Sequence, residues 1–151
     1  MIREDKLFDP IRKVFVPSLP EEKVRQRLLN VMMHKLGYPH GLLAVEKDLK
    51  HLPHLKNGFF PSNKRRADII CFGKNIHPKF ELFPLLMIEC KAHKLNDLVI
   101  EQVVGYNHYV QAYFICIAND KEVKTLWFDK VLNKTVSVNY LPSYKQLISA
   151  V

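Results

Sequence analysis

A chain of 151 residues with 48% hydrophobic and 25% charged residues has the size and composition of one packed domain, which excludes a disordered or low-complexity protein. The formal net charge of +8 favours an acidic partner, nucleic acid ahead of an anionic membrane; the plain alternative is a solvated basic surface. No apolar run approaches membrane-spanning length, and Met1 to Lys6 lacks the apolar core of a secretory signal, so no membrane partner and a cytoplasmic location are expected.

In chain order, the segment up to Pro20 mixes charge with Pro10, Pro17 and Pro20, and reads as an arm or irregular lead-in that docks on the domain. A helix follows, with Ser18 near its cap, Glu21 and Glu22 in its first turn, and Val24, Leu28, Val31, Met32 and Leu36 at helical spacing. Gly37 and Pro39 end it. Leu42 to Val45 reads as a short strand, followed by Glu46, and His51 to Lys64 as a loop or hairpin tip. Arg66 to Phe72 and Leu85 to Lys91 read as strands joined by a hairpin connection.

Asn96 caps a predicted helix from about Asp97 to Gln111, in which Gly105 is expected to allow close packing on the sheet. Strands are expected at Tyr113 to Ala118, Val123 to Phe128 and Thr135 to Tyr140, and a closing helix at Ser143 to Ala150. Alternating strands and helices imply an α/β fold with a mixed sheet and a right-handed parallel crossover from Leu85 to Ala118. Cys71, Cys90 and Cys116 lie in apolar strand-like runs without metal-ligand spacing, so they read as reduced core residues.

The chemistry sits in two of these strands. Arg66-Ala67-Asp68-Ile69-Ile70-Cys71-Phe72 carries an aspartate near its start, and Leu85-Leu86-Met87-Ile88-Glu89-Cys90-Lys91 carries two charges that alternation puts on one face. Ionised groups are rarely buried unless paired or bound to metal. Asp68 and Glu89, with the backbone carbonyl of Cys90, make a candidate Mg²⁺ site, for which Mn²⁺ is a candidate substitute. Lys91 would serve the attacking water in phosphodiester hydrolysis. The bland alternative is a buried Asp–Lys–Glu ion-pair network.

Asp68, a gap of twenty residues, then Glu89-Cys90-Lys91 resembles the PD-(D/E)xK nuclease motif. Arg65-Arg66-Ala67-Asp68-Ile69-Ile70, Ile88-Glu89-Cys90-Lys91-Ala92 and Gln102-Val103-Val104-Gly105-Tyr106-Asn107, in that order, resemble the N-terminal nuclease domain of type I restriction enzyme R subunits over about residues 20–128. The resemblance implies a restriction-endonuclease-like three-layer fold and Mg²⁺-dependent DNA cleavage. It makes Asp68 and Glu89 metal ligands and Lys91 the catalytic lysine. Gln102 and Tyr106 match a Q-x-x-x-Y motif that contacts DNA or supports the site; alternatively Tyr106 packs and Gln102 is solvated. Glu22 matches an acidic residue on the family's first helix that reaches the metal; alternatively it complements the helix dipole.

Lys64-Arg65-Arg66 would bind DNA phosphates at the mouth of the site, the alternative being a soluble turn. His93 would touch phosphate or, as the favoured account, simply line the rim, which Lys74, Lys79, Lys94 and Lys121 would extend if the loops converge. Ala67 stands where the motif has proline, a drift that leaves the ligand itself in place. No G-x-x-x-x-G-K-[ST] phosphate loop occurs, so an ATP-driven motor is not expected in this polypeptide. The expected organisation is one domain, with an arm over 1–19, a nuclease core over 20–128 and a C-terminal strand and helix over 129–151. DNA is the expected partner, met as a homodimer or within a larger complex with separate specificity and motor subunits. The rival readings are a catalytically silent nucleic-acid-binding module and an assembly subunit.

Overall fold

The computed structural model describes residues 5–55 and 66–151. The lead-in is more regular than its composition suggests. β1 (Lys6–Asp9) and β2 (Val14–Pro17) pair antiparallel as a hairpin. The hairpin docks on α1 (Pro20–His34) through Asp9, which is fully buried and accepts from Gln26 Nε2 at 2.9 Å. Strands of four residues flanked by prolines leave too short an alternation to be recognised. The cap of α1 is Leu19, next to Ser18, and makes no side-chain bond. Pro20 occupies the first turn and holds the residue before it extended. Gly37, at φ +70°, turns the chain out of the helix.

β3 (Leu43–Asp48), β4 (Arg66–Lys74), β5 (Leu82–Cys90), β6 (Phe114–Ala118), β7 (Val123–Asp129) and β8 (Lys134–Val138) form one sheet in that spatial order. All neighbours are antiparallel except β5 and β6, which are parallel and joined through α2 (Asp97–Val110). Asn96 caps α2 as expected, its side chain accepting from Val99 N–H, which contributes about 1 kcal/mol. Pro84 sits inside β5, where a register shift opposite Cys71 and Phe72 accommodates its missing N–H. β5 therefore begins three residues earlier than its apolar run suggests.

Val24, Leu29 and Met32 of α1 pack on Ile69, Ile88 and Cys116. Leu147 of α3 (Tyr144–Ser149) joins this face, and the Ser143–Gln146 capping box starts that helix. Val99, Val103 and Val110 of α2 cover Ile70, Met87 and Ile117 on the other face. A mixed sheet between two helical layers is the restriction-endonuclease-like α/β arrangement expected. Gly105 does not serve close packing: it is exposed, and a Cβ there would meet nothing within 4 Å. Leu49–His51 and Pro53–Leu55 form short 3-10 turns, and the rest of that loop lies outside the described residues.

Candidate active site

The β4–β5 ladder has its last pair at Ile69 and Ile88, so the next rung sets Asp68 across from Glu89. There the Asp68 side chain takes over from the backbone: its Oδ2 accepts from Cys90 N–H at 2.8 Å, while Oδ1 accepts from Arg25 Nη2 at 2.9 Å. The Asp68 side chain keeps 15% of its exposure, whereas Glu89 is 2% exposed. Cys90 is extended, and its N–H and C=O point the same way, so its carbonyl faces the Asp68 edge. Its thiol packs in the core on the α1 side, and burial pushes its pKa up, so the carbonyl is the hard donor it offers. Lys91 is half-buried one residue beyond β5, and its N–H, donating to the Ala118 carbonyl at 2.8 Å, keeps it in register with β6.

Arg25 and Glu46 are residues of this site that sequence reasoning missed. Arg25 is 5% exposed. Its Nη1 donates to Glu22 Oε2 at 2.9 Å, and its Nη2 serves both Glu46 Oε1 and Asp68 Oδ1. Burial works against the Arg25 charge, but Asp68, Glu22 and Glu46 outweigh it and raise its pKa. Glu46 has a left-handed backbone, φ +55°. Such a conformation costs a non-glycine residue on the order of 1–3 kcal/mol and gathers at functional sites. It falls where the strands turn over: Val45 and Ile69 pack on the α1 side and Ala67 on the α2 side, with the Glu46–Asp68 rung between them unpaired. Both carboxylates consequently reach α1. The available signal was Arg25 itself, a charge in register with Leu29 and Met32 on the buried stripe of α1.

The remaining candidates scatter around this edge. Glu22 accepts from Arg12 Nη2, Arg25 Nη1 and Gln26 Nε2. Gln102 is exposed on α2, and Tyr106, one turn on, packs against the α2-side core. Arg66 is exposed at the start of β4, 3.9 Å from Glu46. His93 and Lys94 are exposed after β5. Asn119 Nδ2 donates to the His93 carbonyl at 3.0 Å, tying that loop to the β6–β7 turn that carries Lys121. Lys64 and Arg65 lie outside the described residues. Lys74 and Lys79 do not join the rim: they sit at the far end of the β4–β5 hairpin, six strand residues and roughly 20 Å from Asp68. His54 is half-buried, and its Nε2 bonds the Val110 carbonyl at 2.6 Å. Cys71 and Cys116 are buried core thiols, each pushed up to about 12.

Among the described residues no group of three or more His, Cys, Asp or Glu gathers as a metal centre. The donor set of two carboxylates and a carbonyl nevertheless fits a magnesium-like ion, which keeps several waters and takes few protein ligands. Asp68 stays partly exposed, and each carboxylate oxygen has two acceptor positions, so its bonds to Arg25 and Cys90 leave room for an ion.

A six-stranded mixed sheet with helices on both faces is the restriction-endonuclease-like α/β class of fold. The family model for the type I restriction enzyme R protein N terminus (HSDR_N) matches residues 20–142, and the chain belongs to that family. Membership supports a restriction-enzyme-related nuclease role. No curated protein and no solved structure matches the chain. No described helix is long and apolar enough to cross a membrane.

Proposed function

We propose that the protein is a Mg²⁺-dependent DNA endonuclease of the PD-(D/E)xK class. The observation that carries this reading is the 2.8 Å bond from Cys90 N–H to Asp68 Oδ2, which couples the aspartate to the Glu-Cys-Lys strand. Asp68, Glu89 and the Cys90 carbonyl would hold the ion, with Mn²⁺ as a substitute. When bound, the ion neutralises charge on the scissile phosphate and makes its water a stronger nucleophile. Lys91 Nζ donates to the attacking water and to the phosphate oxygens that gain charge. Burial of Glu89 keeps its carboxylate from trading partners with bulk water.

Arg66, His93 and Lys94, with Lys64 and Arg65, would grip backbone phosphates, and Gln102 and Tyr106 would support the site or touch the same backbone. DNA is the partner in this reading, in the cytoplasm. A homodimer gives two sites for two strands, while a larger complex would take its targeting from separate specificity and motor subunits.

The test compares wild type and Lys91→Ala on supercoiled, linear and single-stranded DNA with Mg²⁺, Mn²⁺ or EDTA. Metal-dependent nicking by wild type should fall by at least about 100-fold in Lys91→Ala, the scale of one lost transition-state donor. Equal cleavage by both proteins would reveal a contaminant. Salt-sensitive binding without cleavage would replace the enzyme by a nucleic-acid-binding module.

A further inference from the structure

We infer that Arg25 is a positioning residue for this reaction, setting the Asp68 carboxylate, and that Glu46 and Glu22 act through Arg25 rather than on the ion. The inference rests on the nuclease reading above. One nitrogen, Arg25 Nη2, lies 2.9 Å from Asp68 Oδ1 and also serves Glu46 Oε1, while Nη1 is held by Glu22 at 2.9 Å. Three carboxylates from α1, β3 and β4 thus fix one planar guanidinium, and that guanidinium fixes one oxygen of Asp68. The other oxygen of Asp68 is fixed by Cys90 N–H. With both oxygens held, the orientation of the Asp68 carboxylate is fixed against the β5 backbone.

A buried ion-pair network is a poor device for stability by itself, since desolvating its charges offsets much of their attraction. The strained backbone at Glu46 also works against stability, at the residue that brings the second carboxylate to Arg25. Glu22 is further held by Arg12 and the Gln26 amide, so its oxygens are taken by two arginines and an amide. The pattern is that of an outer shell orienting a ligand, whose loss typically weakens metal affinity or activity by about 10–100-fold.

The experiment measures Mn²⁺ affinity directly, by the electron paramagnetic resonance of free Mn²⁺, beside cleavage kinetics and thermal melting. The proteins are wild type, Glu46→Gln, Arg25→Lys, the double variant and Glu89→Gln. Glu46→Gln is isosteric at a partly exposed side chain, and should melt cooperatively like wild type. Its Mn²⁺ affinity should drop about tenfold. Its kcat should drop at fixed Mn²⁺ and recover as Mn²⁺ is raised, with KM for DNA unchanged. Arg25→Lys keeps the charge but not the fork that bridges three carboxylates, so it should fall at least as far. The double variant should fall no further than Arg25→Lys.

Wild-type affinity and kcat in folded Glu46→Gln would overturn the inference, as would effects that multiply in the double variant, the signature of Glu46 binding the ion itself. In either case the nuclease reading survives if Glu89→Gln abolishes Mn²⁺ binding and cleavage. A wild type that neither binds Mn²⁺ nor cuts DNA overturns both.

Discussion

Asp68 and Asp9 each stand where the backbone needs an acceptor. Asp68 caps the frayed end of a sheet ladder, and Asp9 closes the N-terminal hairpin. Asp9 is fully buried, and takes the N–H groups of Ile11 and Arg12, the Arg12 Nε and the Gln26 amide. Burial raises its pKa, but the Arg12 and Gln26 bonds together outweigh that and leave it below its ordinary value of 3.8. A folded-state pKa below the unfolded one stabilises the fold above the unfolded value, and the gain disappears as pH falls through the folded value. Asp9→Asn should therefore lose about 2 kcal/mol at neutral pH, the scale of a buried charged hydrogen bond. Denaturant unfolding at stepped pH should show the two proteins converging below pH 3.8. A gap that persisted into strong acid would mean that the carboxylate's charge is not what matters.

At the scale of elements, α2 carries its own weakness. Gly105 lies in its interior, exposed, with open space where a Cβ would stand. Gly105→Ala should raise stability by about 1 kcal/mol, the helix-propensity difference, read as a shift in denaturant midpoint at constant slope. A loss would mean that this face meets something that a methyl group disturbs. Elements whose character is local were legible in the sequence. The β4, β5 and β6 strands are apolar runs, and α2 announces itself by Asn96. Asp68, Glu89 and Lys91 stood out as charges inside those runs. Arg25 left only its place on the buried stripe of α1 as a signal, and Glu46 left none, because the meeting of residues 22, 25, 46 and 68 is built from three separate elements. The β1–β2 hairpin escaped for another reason: its strands are four residues each, too short for their alternation to show.

Over the whole molecule, the excess of basic residues behind the net charge of +8 includes cations at both ends of the sheet, only one of which carries the candidate site. Arg66 opens β4 beside Glu46, Lys91 and Lys94 follow β5, and Lys121 is carried by the β6–β7 turn, all at one end of the sheet. Lys74 and Lys79 lie at the other end, in and after the last residue of β4. Neutralising a DNA phosphate with a cation releases counterions, and each such contact adds about 0.9 to the slope of log affinity against log salt. If DNA runs over the site end, Lys94→Ala with Lys121→Ala should reduce that slope by about 2 and weaken binding of all sequences alike. Lys74→Ala with Lys79→Ala removes the same two charges from the far end, and should leave the slope unchanged. The two double variants have equal net charge, so a general electrostatic attraction would lower affinity equally in both. Fluorescence anisotropy of a short labelled duplex across a salt series separates the cases. Equal slopes in the two variants would move the DNA path away from Asp68 and Glu89.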